Sequence, residues 1–188
     1  MVDARDAALR RLLTDRFAEI GDDSTNGATY INRDGWWRDP TILERLPGAL
    51  AAPFRSEPPT VVLGPQSSGF LLGPLVAREL DVGFVGAHKE ISLLADSDAW
   101  LVATTPPDYR DRHLEFGFRR GLISGADRVL VVDDWVDTGS QLLAMHRLIK
   151  LAEAHLLGTT VIADNLTDNR VRRDLRLTAL VHARDLWK

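Results

Sequence analysis

Apolar residues recur at helical spacing near the start of the chain. Leu9, Leu13 and Phe17 stand four apart with Leu12 and Ile20 beside them, which predicts an amphipathic helix over residues 5–20. Gly21 and the polar run from Asp22 to Gly27 end it. Residues 28–39 mix Tyr30, Ile31, Trp36 and Trp37 with polar neighbours, a small strand-turn pattern. Helical spacing returns over 41–54 through Leu43, Leu46 and Leu50, with Pro47 expected to shorten or kink that helix.

The tempo changes after Pro58-Pro59. Residues 60–64 form a short continuous apolar run, as in a strand covered on both faces. A Gly/Ser loop (65–69), an apolar helix from Phe70 to Leu80 and a strand over 82–87 complete a β-loop-α-β unit. Residues 90–112 are polar and turn-rich, the signature of a functional loop, and 114–118 suggest a strand beyond it. A buried strand over 128–132 leads into Asp133-Asp134. The spacing then predicts a helix over 141–157 closed by Gly158, a strand over 159–163, a helical turn over 170–175 and a last strand over 177–181. Strands alternating with helices imply an α/β fold built on a mostly parallel sheet. The chain reads as a single domain, 1–188, with residues 1–55 capping a core of 56–188, since the first segment is too short to bury much surface alone.

Composition narrows the functions. With 188 residues, 45% hydrophobic and 27% charged, the chain is ordinary globular material. A net charge of −4 argues against a protein that coats nucleic acid. The absence of cysteine excludes disulfides, thiolate metal sites and a cysteine nucleophile. Charges from residue 3 onward speak against a signal peptide, and no apolar run approaches the ~18 residues of a membrane span. A soluble, cytoplasmic protein is expected.

Ligands of parallel sheets bind beyond the carboxyl ends of the strands. Two strand-to-helix loops qualify, Gly64–Phe70 and Asp133–Gln141. In the second, Thr138-Gly139-Ser140 offers hydroxyls, a glycine for close backbone approach and free amides at a helix start, together a phosphate cradle. Asp133 and Asp134 repel phosphate but accept from sugar hydroxyls or a hydrated Mg2+. A phosphorylated sugar satisfies both. A purely structural alternative has Asp134 capping a turn and Thr138 capping the helix. A receiver domain does not fit, because too little chain follows Asp134. The P-loop and dinucleotide signatures are absent.

The run Val129 to Ser140 resembles the phosphoribosyl pyrophosphate (PRPP) motif of type I phosphoribosyltransferases: four apolar residues, two acids, three variable positions, then Thr-Gly and a small residue. Val62 to Pro74, followed by Leu80 to Val85 and Lys89, looks like the pyrophosphate-loop region of adenine phosphoribosyltransferases. Trp37-Arg38-Asp39-Pro40-Thr41 is similar to that family's Phe-Arg-Asp-Ile-Thr segment near the base pocket. The resemblance implies a type I phosphoribosyltransferase fold with about five mostly parallel strands and an N-terminal hood. It implies that Asp133 and Asp134 bind the ribose hydroxyls, and that Asp137, Thr138, Gly139, Ser140 and Gln141 wrap the 5′-phosphate. Ser67, Ser68 and Gly69, with Gln66 and Lys89 beside them, would meet a pyrophosphate bridged by Mg2+. Trp37, Arg38 and Trp135 would face the base. Residues 90–112 would act as a lid, and a homodimer is expected.

The chain departs from the family in places. Ser68 stands where the pyrophosphate loop usually carries Arg or Lys, so Lys89, Arg110 or Arg112 would have to supply the charge. The family's Lys-Pro-Gly-Lys segment is replaced by Lys89-Glu90-Ile91-Ser92. Glu115 lies in a Leu-Glu-Phe-Gly segment similar to the family's Leu-Glu-Tyr-Gly, making it a catalytic candidate, or else a strand-edge acid. The five histidines show no metal-ligand spacing. Arg170, Arg172, Arg173 and Arg176 read as a solvated face or subunit contact. The expected function is transfer of 5-phosphoribose from PRPP to a purine-like base. A non-catalytic PRPP sensor and a phosphoribosyl enzyme with another acceptor stand as alternatives.

Overall fold

The first helix, α1 (Ala4–Arg16), stops a turn before the expected residue 20. The computed structural model describes residues 4–23, 28–91, 97–106 and 113–187. Phe17 leaves the helix to stack on Trp135, 6.1 Å between centroids, and Arg16 is drawn to Asp39 at 2.9 Å. The backbone beyond pairs as an antiparallel ribbon, β1 (Ala18–Asp23) with β2 (Ala28–Asn32). Trp36 and Trp37 lie on a short helix, α2 (Asp34–Arg38), rather than on a strand. Helix α3 (Pro40–Ala51) opens with Asp39, whose carboxylate accepts from the amides of Thr41 and Ile42. Pro47 lies inside α3 without ending it.

The remaining elements are β3 (Val61–Pro65), α4 (Ser68–Glu79), β4 (Gly83–Lys89), β5 (Trp100–Thr104), β6 (Glu115–Arg119), β7 (Arg128–Val136), α5 (Ser140–Leu151), β8 (His155–Asp164), α6 (Asn169–Asp174) and β9 (Leu177–His182). The main sheet has seven strands in the order β5-β6-β4-β3-β7-β8-β9. Five of them, β4 to β9 in that row, run parallel; β6 joins β4 antiparallel and β5 joins β6 antiparallel. The sheet thus has seven strands rather than about five; the parallel five and β6 fall where the sequence placed strands. The missed strand, β5, falls within residues 90–112, where turn-rich flanks hide five residues of strand pattern. The proposed lid segments 92–96 and 107–112, with Arg110 and Arg112, lie outside the described residues.

Helix α5 ends at Leu151, not Leu157. The amides of Glu153 and Ala154 bond back to Lys150 and Ile149, with Glu153 in the left-handed region, and this turn releases Leu156 to pair with Val129 in the sheet. Strand β7 also outruns its apolar stretch: residues 133–136 keep pairing with β8, so the two acids lie within the strand.

Alternate residues of the central strands feed two cores. Val61, Leu63, Val129, Val131 and Val161 pack with Leu142, Met145 and Leu148 of α5. Val62, Leu130, Val132 and Ile162 pack with Leu72 and Val76 of α4, Leu46 and Leu50 of α3, and Leu9 and Leu13 of α1. This arrangement leaves the carboxyl ends of β3 and β7 side by side and open.

Candidate active site

A cleft of about 340 Å³ opens where the β3–α4 and β7–α5 loops meet. It is lined by Gln66, Ser67 and Ser68 from the first loop, by Asp133 through Leu142 from the second, and by Lys89 and Arg33. The two loops singled out in the sequence thus share one site.

Asp133 and Asp134 are nearly buried, at 7% and 4% exposure. Asp133 Oδ1 accepts the Asp134 amide at 3.0 Å. Burial, reinforced by the charge of Asp134, holds the Asp133 carboxyl well above the ordinary aspartate range. Asp134 instead has a cation: Arg33 Nη1 lies 2.9 Å from its Oδ2. The pair therefore presents one acid that resists ionisation beside one that is salt-bridged.

The loop after β7 turns at Gly139, which has φ +79°. A Cβ there would lie 2.7 Å from Val171 Cγ1 of α6, so both conformation and space call for glycine. Gly139 is the N-cap residue of α5 and has no side chain to cap it. The Thr138 and Ser140 hydroxyls are 2.9 Å apart, and the Ser140 amide donates to Thr138 Oγ1 at 3.3 Å. Asp137 is turned to Asn165, whose Nδ2 donates to it at 2.8 Å.

The loop after β3 is compressed. A Cβ on Gly64 would stand 2.4 Å from the Gly69 carbonyl oxygen, so the α4 start presses directly on the strand. The Gln66–Ser67 peptide is cis. Gln66 Oε1 accepts the Lys89 amide at 3.0 Å, tying this loop to the end of β4. Lys89 faces the cleft, with Nζ 5.7 Å from the centre of the Phe116 ring.

Of the residues expected from sequence, Gln66, Ser67, Ser68, Lys89, Asp133, Asp134, Trp135, Asp137, Thr138, Gly139, Ser140 and Gln141 all line the cleft. Gly69 is buried behind it. Trp37 packs half-buried on the α1–α4 side of the sheet, Arg38 is exposed, and neither lines the cleft. Glu115 begins β6 opposite Thr104 and is likewise outside it. Trp135 does line it, backed by Phe17 and met edge-on by Trp187, 6.4 Å away. The arginine run is not simply solvated: Arg172 pairs with buried Asp164 at 2.8 Å. Arg33 was invisible to sequence reasoning, because it carries no motif and meets Asp134 only through the fold.

Among the described residues no cluster of three or more His, Cys, Asp or Glu side chains could cage a metal. The two adjacent carboxylates suit a hydrated Mg2+ shared with a substrate's own oxygens.

Comparison with known proteins shows what the chain is similar to. The family model of the phosphoribosyl transferase domain matches residues 40–180. The adenine phosphoribosyltransferase of Natranaerobius thermophilus is 30% identical over 146 residues, covering 78% of this chain and 82% of that protein. The xanthine phosphoribosyltransferase of Geobacillus thermodenitrificans is 28% identical over 155 residues, covering 82% and 79%. The crystal structure of adenine phosphoribosyltransferase from Rhodothermus marinus superposes with a TM-score of 0.79 at 26% identity, covering 94% of this chain and 99% of that one.

Proposed function

Since the chain belongs to the phosphoribosyl transferase domain family, we propose that it transfers 5-phosphoribose from PRPP to a purine-type base and releases pyrophosphate. The observation that carries this reading is the convergence of the acid pair, the Thr138–Gln141 turn and the Gln66–Ser68 loop on one cleft. Relatives named for adenine and for xanthine support a purine acceptor.

In this reading Asp133 and Asp134 accept from the ribose hydroxyls, and the amides and hydroxyls of Thr138, Gly139 and Ser140 hold the 5′-phosphate. The Gln66–Ser68 loop and Lys89 take the pyrophosphate, and Trp135 offers an aromatic face to the base. Mg2+, held through the donor and the acid pair, would neutralise charge on the leaving pyrophosphate. Displacement at the anomeric carbon builds positive charge on the sugar. The cleft's part is to align the partners and stabilise that charge with its carboxylates. Glu115, Trp37 and Arg38 reach this chemistry only if the hood or the β5–β6 hairpin moves. A cytoplasmic setting is part of the same reading, and a homodimer rests on the family resemblance alone.

The test is pyrophosphate release from PRPP with Mg2+ across purine and pyrimidine bases, beside calorimetric PRPP binding. Release dependent on one purine is expected and names the acceptor. Tight PRPP binding without release for any base would replace the transferase with a sensor, the reading that Ser68 favours. Asp134→Asn should weaken PRPP binding about tenfold, the scale of one lost charged hydrogen bond, with the fold intact. Unchanged affinity would remove the acid pair from the site.

A further inference from the structure

The cleft has a charge problem. Asp133, Asp134 and Asp137 all line it, and Ser68 supplies no cation to the loop proposed for pyrophosphate. A donor carrying a monophosphate and a diphosphate must enter against these carboxylates. Among the described residues lining the cleft, Lys89 and Arg33 are the cations. Lys89 extends from β4 along the Phe116 ring. Arg33 comes from the hood, at the junction of β2 and α2, and meets Asp134 through its Nη1. About a third of its side chain remains exposed, against 5% for its partner, so the guanidinium lies at the cleft surface while the carboxylate lies within.

Resting on the phosphoribosyl-transfer reading above, we propose that Arg33 is a donor-specificity residue: it supplies from the hood the diphosphate-binding cation that the β3–α4 loop lacks. Asp134 parks the guanidinium at the cleft. One Arg33 nitrogen meets Asp134 Oδ2, and the guanidinium fork has further N–H donors, which suit the paired oxygens of a diphosphate. Donor selection follows. Ribose 5-phosphate uses the acid pair and the phosphate turn only, whereas PRPP uses Arg33 as well. The hood thereby becomes part of the donor site and not only of the base side.

The experiment is calorimetry of the full chain with Mg2+ and three probes: PRPP, pyrophosphate and ribose 5-phosphate. Wild type is compared with Arg33→Ala and Arg33→Lys, each checked for unchanged thermal unfolding. Arg33→Ala should weaken PRPP and pyrophosphate about tenfold or more while ribose 5-phosphate stays within about twofold. Arg33→Lys should recover part of the loss, because it keeps the charge without the fork. Equal weakening of all three probes would make Arg33 a scaffold residue and overturn the proposal. Unchanged pyrophosphate binding in both variants would also overturn it. Wild-type protein that binds none of the probes would instead overturn the phosphoribosyl-transfer reading, and the role of Arg33 with it.

Discussion

Asp133 shows what the proposed site costs the fold. Its carboxyl is raised by burial first and by Asp134 second, so folding favours its protonated form. The stabilising contribution is therefore complete below the unfolded value near 3.8 and is lost as pH rises through the folded value. Above the unfolded value, the cost of ionising the buried group makes it a burden on the fold. Asp133→Asn keeps an oxygen to accept the Asp134 amide and removes the charge. It should stabilise the protein by about 1–2 kcal/mol at pH 7, lose that advantage near pH 4, and bind PRPP more weakly. Urea unfolding at the two pH values checks the first two outcomes and calorimetry the third. A variant equally stable relative to wild type at both pH values would show that Asp133 carries no such penalty.

At the scale of elements, the turn proposed to hold phosphate is buttressed from β8 and α6. Asn165 bonds Asp137, its amide donates to the Val136 carbonyl, and Leu166 and Val171 close on Gly139. Arg172 secures this buttress through Asp164 and the Leu166 carbonyl at 2.6 Å. Arg172→Met would leave the nearly buried Asp164 with the Leu166 amide and His182 at 3.7 Å. The expected cost is about 1–3 kcal/mol, less than for a fully buried pair because Arg172 is partly exposed. The KM for PRPP should rise more than kcat falls, as a loosened turn would act on binding. A fall in kcat alone would separate α6 from the proposed phosphate turn. The parallel strands and both cleft loops were legible in the sequence, because a continuous apolar run ending in Gly, Ser or Asp fits a buried strand entering a loop and little else. The ends of α1 and α5 were not: Phe17 leaves its helix for Trp135, and Leu156 continues the helical spacing while belonging to a strand.

The whole molecule explains why hood contacts escaped the sequence. Trp36, Leu9 and Leu13 are core residues shared with Val62, Val132 and Ile162 of the sheet, and Trp36 Nε1 donates to the Leu13 carbonyl at 2.9 Å. Spacing shows that a helix has an apolar face, but not which distant strand it covers. The pairing of Arg33 with Asp134 and the ring cluster of Phe17, Trp135 and Trp187 depend on that placement. A hood built into the same core as the sheet should not melt by itself. Urea unfolding followed by the fluorescence of the five tryptophans, Trp36 and Trp37 in the hood and Trp100, Trp135 and Trp187 beyond it, should coincide with unfolding followed by far-ultraviolet circular dichroism. If PRPP with Mg2+ binds across the hood and the core, a concentration of 100 times its Kd should raise both transitions together by about 2.7 kcal/mol. A fluorescence transition at lower urea than the circular dichroism transition would mean that the hood opens as a separate unit. Stabilisation of only the later transition by PRPP would then place the donor site wholly on the sheet, without Arg33.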